Sequence, residues 1–162
     1  MNRRRIIILA LLGIIAVAAW AELSYFRFHT YFQRTVVQET LPPMPSGQTQ
    51  AQSRTVVSGS FVEVDAVHKG SGTARIVEQG GVRYLRLEDF EVTNGPDLFV
   101  YLSESKTPGS TLESIDKYIN LGPLKGNAGN QTYEIPASFR GYDTAVIWCQ
   151  KFGVLFSYAV MQ

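Results

Sequence analysis

From Arg54 onward the chain alternates apolar and polar positions with a period near two, or runs in short apolar stretches. Gly and Pro interrupt it at close intervals, and no segment sustains a period of 3.6. This pattern predicts an all-β domain of two antiparallel sheets packed face to face, a β-sandwich of about eight strands. Strands are expected over 59–64 and 72–78, the second turning at Gln79-Gly80-Gly81 into 82–90, where Leu85 and Leu87 face inward and Arg86 and Glu88 outward. Asn94-Gly95-Pro96-Asp97 is a turn, because Gly supplies positive φ and Pro fixes its own. The run 98–102 is apolar on both faces and reads as a central strand, whereas 103–117 is polar and reads as a surface loop with at most one helical turn. Strands over 119–121 and 131–135 flank the turn-rich loop 122–130. The apolar stretch 144–160 reads as two strands joined at Gln150-Lys151-Phe152-Gly153, with Cys149 ending the first.

The N-terminus has a different pattern. Arg3-Arg4-Arg5 precedes residues 6–21, an uncharged apolar run that reads as one transmembrane helix with its arginines on the cytoplasmic side. At roughly 1.5 Å per residue that run spans about 24 Å, so Leu23, Tyr25 and Phe26 are needed to cross a ~30 Å core. Ala19-Trp20-Ala21 has the small-x-small form of a cleavage site, but Trp20, Tyr25, Phe26, Phe28, Tyr31 and Phe32 form an aromatic belt that favours a retained signal-anchor. In either case the domain lies outside the cytoplasm, tethered to the membrane or, after cleavage, secreted. Residues 1–37 are therefore read as anchor and juxtamembrane segment, the Pro/Gln/Ser-rich stretch 38–54 as a linker, and 55–162 as the domain.

Charge and cysteine usage narrow the function. Residues 54–162 carry ten basic and twelve acidic side chains with no basic stripe, so no nucleic-acid partner is expected. A single cysteine makes no intramolecular disulfide, no cysteine-based zinc site and no Cys-x-x-Cys redox pair.

Four motifs in register carry a family resemblance. They are Val67-His68-Lys69-Gly70-Ser71-Gly72-Thr73-Ala74; Asp89-Phe90 leading to Asn94-Gly95-Pro96-Asp97-Leu98-Phe99-Val100-Tyr101-Leu102; Leu121-Gly122-Pro123-Leu124-Lys125-Gly126-Asn127-Ala128-Gly129-Asn130-Gln131-Thr132-Tyr133-Glu134-Ile135-Pro136; and Val146-Ile147-Trp148-Cys149 with Phe152 and Ala159. Their order and spacing over about 58–161 resemble the DM-thirteen domain family. The resemblance implies a β-sandwich of extracellular or membrane-tethered proteins, with a role in electron transfer through its characteristic cysteine, as a naked thiol or through a group such as haem. Cys149 matches that cysteine, His68 the histidine of the first motif, and Asn94 to Asp97 the turn before the central strand. A separate redox partner protein is implied.

As chemistry, Cys149 is either a small buried hydrophobe or a redox thiol, and the second role needs a thiolate with a positive neighbour, for which Lys151 stands nearest. His68 is either a turn residue or a ligand that pairs with Cys149 on a cofactor. Without a Cys-x-x-Cys-His motif any haem is non-covalent, so the expectation is non-covalent haem or none. Blue copper needs two histidines, and 54–162 holds one. No Gly-x-Ser-x-Gly elbow supports a hydrolase. The alternative reading is a non-enzymatic binding or adhesion module that recognises a glycan or protein partner through the loop 125–130.

Overall fold

The computed structural model describes residues 2–26, 33–43, 53–115, 117–139 and 141–162. The aromatic-belt expectation for the side chains at 25, 26, 28, 31 and 32, and the linker expectation for 44–52, lie outside the described residues. Helix α1 (Arg3–Ala21) is followed by a wider π-type turn (Glu22–Phe26), and none of the side chains of α1 is buried. Within Arg3–Ser24 an 18-residue window reaches a mean hydropathy of 2.6, the length and composition of a membrane anchor or of a signal sequence.

Two five-stranded sheets follow, as the alternation predicts. Sheet A has the order β1 (Val36–Gln38), β8 (Ala128–Ile135), β5 (Val82–Val92), β4 (Gly70–Gln79), β2 (Arg54–Ser60). Sheet B has the order β3 (Val62–Glu63), β10 (Val154–Val160), β9 (Thr144–Cys149), β6 (Leu98–Ser103), β7 (Tyr118–Pro123). All pairings are antiparallel except β1 with β8, which is parallel. The class is therefore the expected two-sheet all-β fold, with ten strands instead of about eight.

One of the two extra strands arises because the strand expected over 59–64 is broken in two, β2 and β3. The chain leaves sheet A at Ser60 and joins sheet B at Val62, because the buried Phe61 ring turns into the core and packs edge-on against Phe90 at 4.9 Å. The other, β1, lies across the boundary between the segments read as juxtamembrane and linker and carries no periodic signal.

The hairpin β4–β5 sits where Gly80-Gly81 predicts it, and Leu85 and Leu87 are fully buried. Strict alternation would next turn Asp89 inward. Instead the register shifts between Leu87 and Phe90 against β8, and Asp89 takes φ 47°, so Phe90 and Val92 regain the core face. The bulge is held by Asn130 Oδ1, which accepts the Asp89 N–H at 2.9 Å.

Between the sheets lies a core that includes Ala74, Ile76, Leu85 and Phe90 from sheet A and Val100, Ile147, Cys149 and Phe156 from sheet B. Sheet B is also covered on its other face. The expected surface loop after β6 contains a 3-10 turn (Leu112–Ile115), and its Ile115 is fully buried in a second cluster with Tyr101, Val146, Trp148 and Leu155. Every residue of β9 is consequently buried.

Candidate functional site

The strand registers gather four loops at one end of the sandwich. Cys149, the last residue of β9, pairs with Leu98 at the start of β6 and with Val154 at the start of β10. The turn 94–97 and the turn 150–153 therefore meet there, and the Gln150 N–H donates to the Asp97 carbonyl at 3.0 Å. Strand β7 ends beside Phe99 and the Leu124 N–H donates to the Leu98 carbonyl at 2.8 Å, bringing in the loop 124–127. Strand β3 runs toward the same end, so the loop 64–69 joins them; it is tied to the next loop by the Thr93 N–H to the Lys69 carbonyl at 2.9 Å. These are the stretches that carry the four motifs.

Cys149 has no exposed surface, and its side chain points into the inner core. Burial is the largest influence on its thiol and raises its pKa above the ordinary value. The backbone N–H groups of Phe152, Lys151 and Asp97 oppose this by hydrogen bonding to the sulfur, and the Asp97 carboxylate adds to it. The sulfur is thus held as a neutral thiol at pH 7, ringed by amides. Lys151 was expected to supply a cation; it lies in the turn beyond β9, off the strand face, and what it offers the sulfur is its backbone N–H.

His68 sits in a loop built by Asp65. One Asp65 oxygen accepts the N–H groups of Val67 and His68, both at 2.7 Å, and the other lies 2.7 Å from His68 Nδ1. The Asp65 carboxyl is lowered to about 2, first by the hydrogen bond from the His68 ring and then by the two N–H donors. An ionised carboxylate only accepts, so Nδ1 carries a proton and the ring is held in one orientation. The imidazole packs edge-on against Phe156 with centroids 4.5 Å apart. Phe156 also lies against Gly95, where a Cβ would stand 2.8 Å from both Phe156 Cζ and Leu98 Cδ2. The structure therefore brings His68 and Cys149 to one end, connected through Phe156 and the turn 94–97.

A cavity of about 270 Å³ opens beside this turn, lined among others by Asn94, Asp97, Leu98, Lys125, Asn127 and Thr35. Thr35 belongs to a part of the site that sequence reasoning missed. The segment 33–39 lies along β8 as a strap: Thr35 N–H donates to Asn127 Oδ1 at 2.6 Å, Asn130 Nδ2 to Gln38 Oε1 at 2.9 Å, and Glu39 N–H to the Asn130 carbonyl at 2.9 Å. The Glu39 carboxylate then takes Lys125 Nζ at 2.8 Å and the Thr132 N–H at 2.8 Å. Burial alone would raise the Glu39 pKa, but Lys125, the Thr132 N–H and Arg86 together hold it below the ordinary value. The available signal was the glycine content of 126–130, which reads as turn chemistry. Gly129 is glycine for a different reason: at φ 100° any Cβ there would overlap the Val37 carbonyl.

The model of the family Electron transfer DM13 matches residues 60–161, well over half of the chain. The chain belongs to that family. No curated protein and no solved structure gives a match.

The family raises the question of a haem. The residues here do not fit one: Cys149 is enclosed, and the adjoining cavity of about 270 Å³ falls below the ~300–1,000 Å³ of pockets that hold drug-sized ligands. Among the described residues no group of three or more His, Cys, Asp or Glu side chains is placed to hold a metal ion.

Proposed function

We propose that this chain is a membrane-tethered, extracytoplasmic electron-transfer module whose redox group is the Cys149 thiol itself. The observation that carries it is the family match together with the convergence of all four motif loops on Cys149. His68 acts as a positioning residue that holds Phe156 against the turn 94–97. The closed state keeps the sulfur protonated and out of water, which protects a lone thiol in an oxidising compartment. Reaction then follows local opening of the turn, by release of the Gln150–Asp97 hydrogen bond when a redox partner protein meets this end: Cys149 loses its proton to water and attacks a disulfide of the partner, forming a mixed disulfide while the partner's other sulfur leaves as a thiolate.

The test uses the full chain purified from a membrane fraction. Its ultraviolet-visible spectrum and metal content are measured, and the oxidation state of Cys149 is followed by intact mass across a series of glutathione potentials. A reversible change at Cys149 that disappears in Cys149→Ser, with the thermal melt retained, supports the reading. A colourless protein that is unchanged at every potential overturns it.

The complete enclosure of Cys149 favours a second reading, a non-enzymatic binding module that uses the cavity beside Asn127 to hold a glycan or protein partner. That reading expects full function from Cys149→Ser and loss of binding from Asn127→Ala.

A further inference from the structure

The strap determines which end of the sandwich lies nearest the membrane. Strand β1 runs parallel to β8 from Val36 beside Ala128 to Gln38 beside Asn130, so the chain coming from α1 meets the domain at the Cys149 end and leaves at the opposite one. Gln33 and Thr35 line the cavity next to the turn 94–97. From Phe26 to Gln33 a polypeptide reaches at most about 25 Å, even fully extended. A free linker up to Arg54 would have allowed the domain to turn either way; docking of the strap removes that freedom.

The surface at this end is suited to lipid. Val67 and Phe152 are the two most exposed large hydrophobic residues described from 53 onward, at 68% and 46%. Each is the tip of a loop at the Cys149 end. One exposed apolar side chain needs no explanation, but the coincidence of both with the tethered end does.

We propose that the Cys149 end of the domain faces the surface of the bilayer that α1 enters, with Val67 and Phe152 at the headgroup boundary. This rests on α1 being retained as an anchor and is independent of the chemistry of Cys149. Its consequence for the function above is that a partner reaches Cys149 along the membrane surface.

The experiment places a bimane label at Val67→Cys, at Phe152→Cys, or at Ser138→Cys in the exposed loop of the opposite end. The full chain is held in phosphatidylcholine nanodiscs that contain lipid spin-labelled at the headgroup. Enclosed Cys149 stays unlabelled, so the chain without an added cysteine is the blank. Quenching at 67 and 152 is expected to exceed that at 138 by about three-fold or more. Equal quenching at all three positions, or the strongest at 138, overturns the proposal. So does an intact mass showing that α1 is removed from the mature chain in cells.

Discussion

The connections at the two ends of the sandwich use glycine for different purposes. At the end far from Cys149, Gly81 in the β4–β5 hairpin has open space around its would-be Cβ and serves only to supply φ 81°. At the Cys149 end Gly153 is open in the same way, but Gly95 lies against the Phe156 ring and Gly129 against the strap, so a side chain at either of these two has nowhere to go. One end is a connector that needs a backbone conformation. The other also packs its loops against one another and against the strap.

That contrast is open to attack by several measurements. Native Cys149 should react with iodoacetamide at least about 100-fold more slowly than in urea, because access requires local opening. Equal rates would mean that the loops do not seal the sulfur. Gly95→Val should cost about 1–3 kcal/mol in urea denaturation by overpacking Phe156, and should speed that alkylation. Gly81→Asn at the far hairpin should stay within about 0.5 kcal/mol, since Asn tolerates the left-handed conformation.

Three buried groups give the molecule a pH dependence in base. The pKa values of Cys149, Tyr101 and Tyr133 are all raised, in each case by burial first. The folded state therefore holds protons that the unfolded chain releases, and the contribution of these three groups to stability should be constant below pH 9.0 and fall as pH rises above it. Cys149→Ser should lessen that fall, as read by melting temperature against pH.

The smallest effects concern the strap and the His68 loop. The Glu39 pKa is lowered, so its contribution is present above the ordinary 4.5 and is lost as pH falls below it. For a half-exposed pair with Lys125 it amounts to about 0.2–1 kcal/mol. Glu39→Gln should accordingly speed hydrogen exchange at the Glu39 and Thr132 amides and leave the core amides unchanged. Asp65 behaves in the same direction further into acid, its tie to His68 fading as pH falls from 3.8 toward about 2.

Period and turn residues together determined the all-β class, the β4–β5 hairpin and the position of Cys149 at a strand end beside a turn, because each is set by residues adjacent in sequence. The shift from Leu85 and Leu87 to Phe90 and Val92 was also written there as a change of phase. Tertiary structure decided the rest. Thr35 reaches Asn127 across 92 residues, and no local signal marks Val36-Val37-Gln38 as a strand, since its partner is an edge that exists only after the sheet has formed. The burial of Ile115 and the role of the Lys151 amide depend likewise on what packs above them. Alternation along a chain states which side of a strand is apolar; what covers that side, and whether a sulfur on it meets water, is a property of neighbours that only folding brings together.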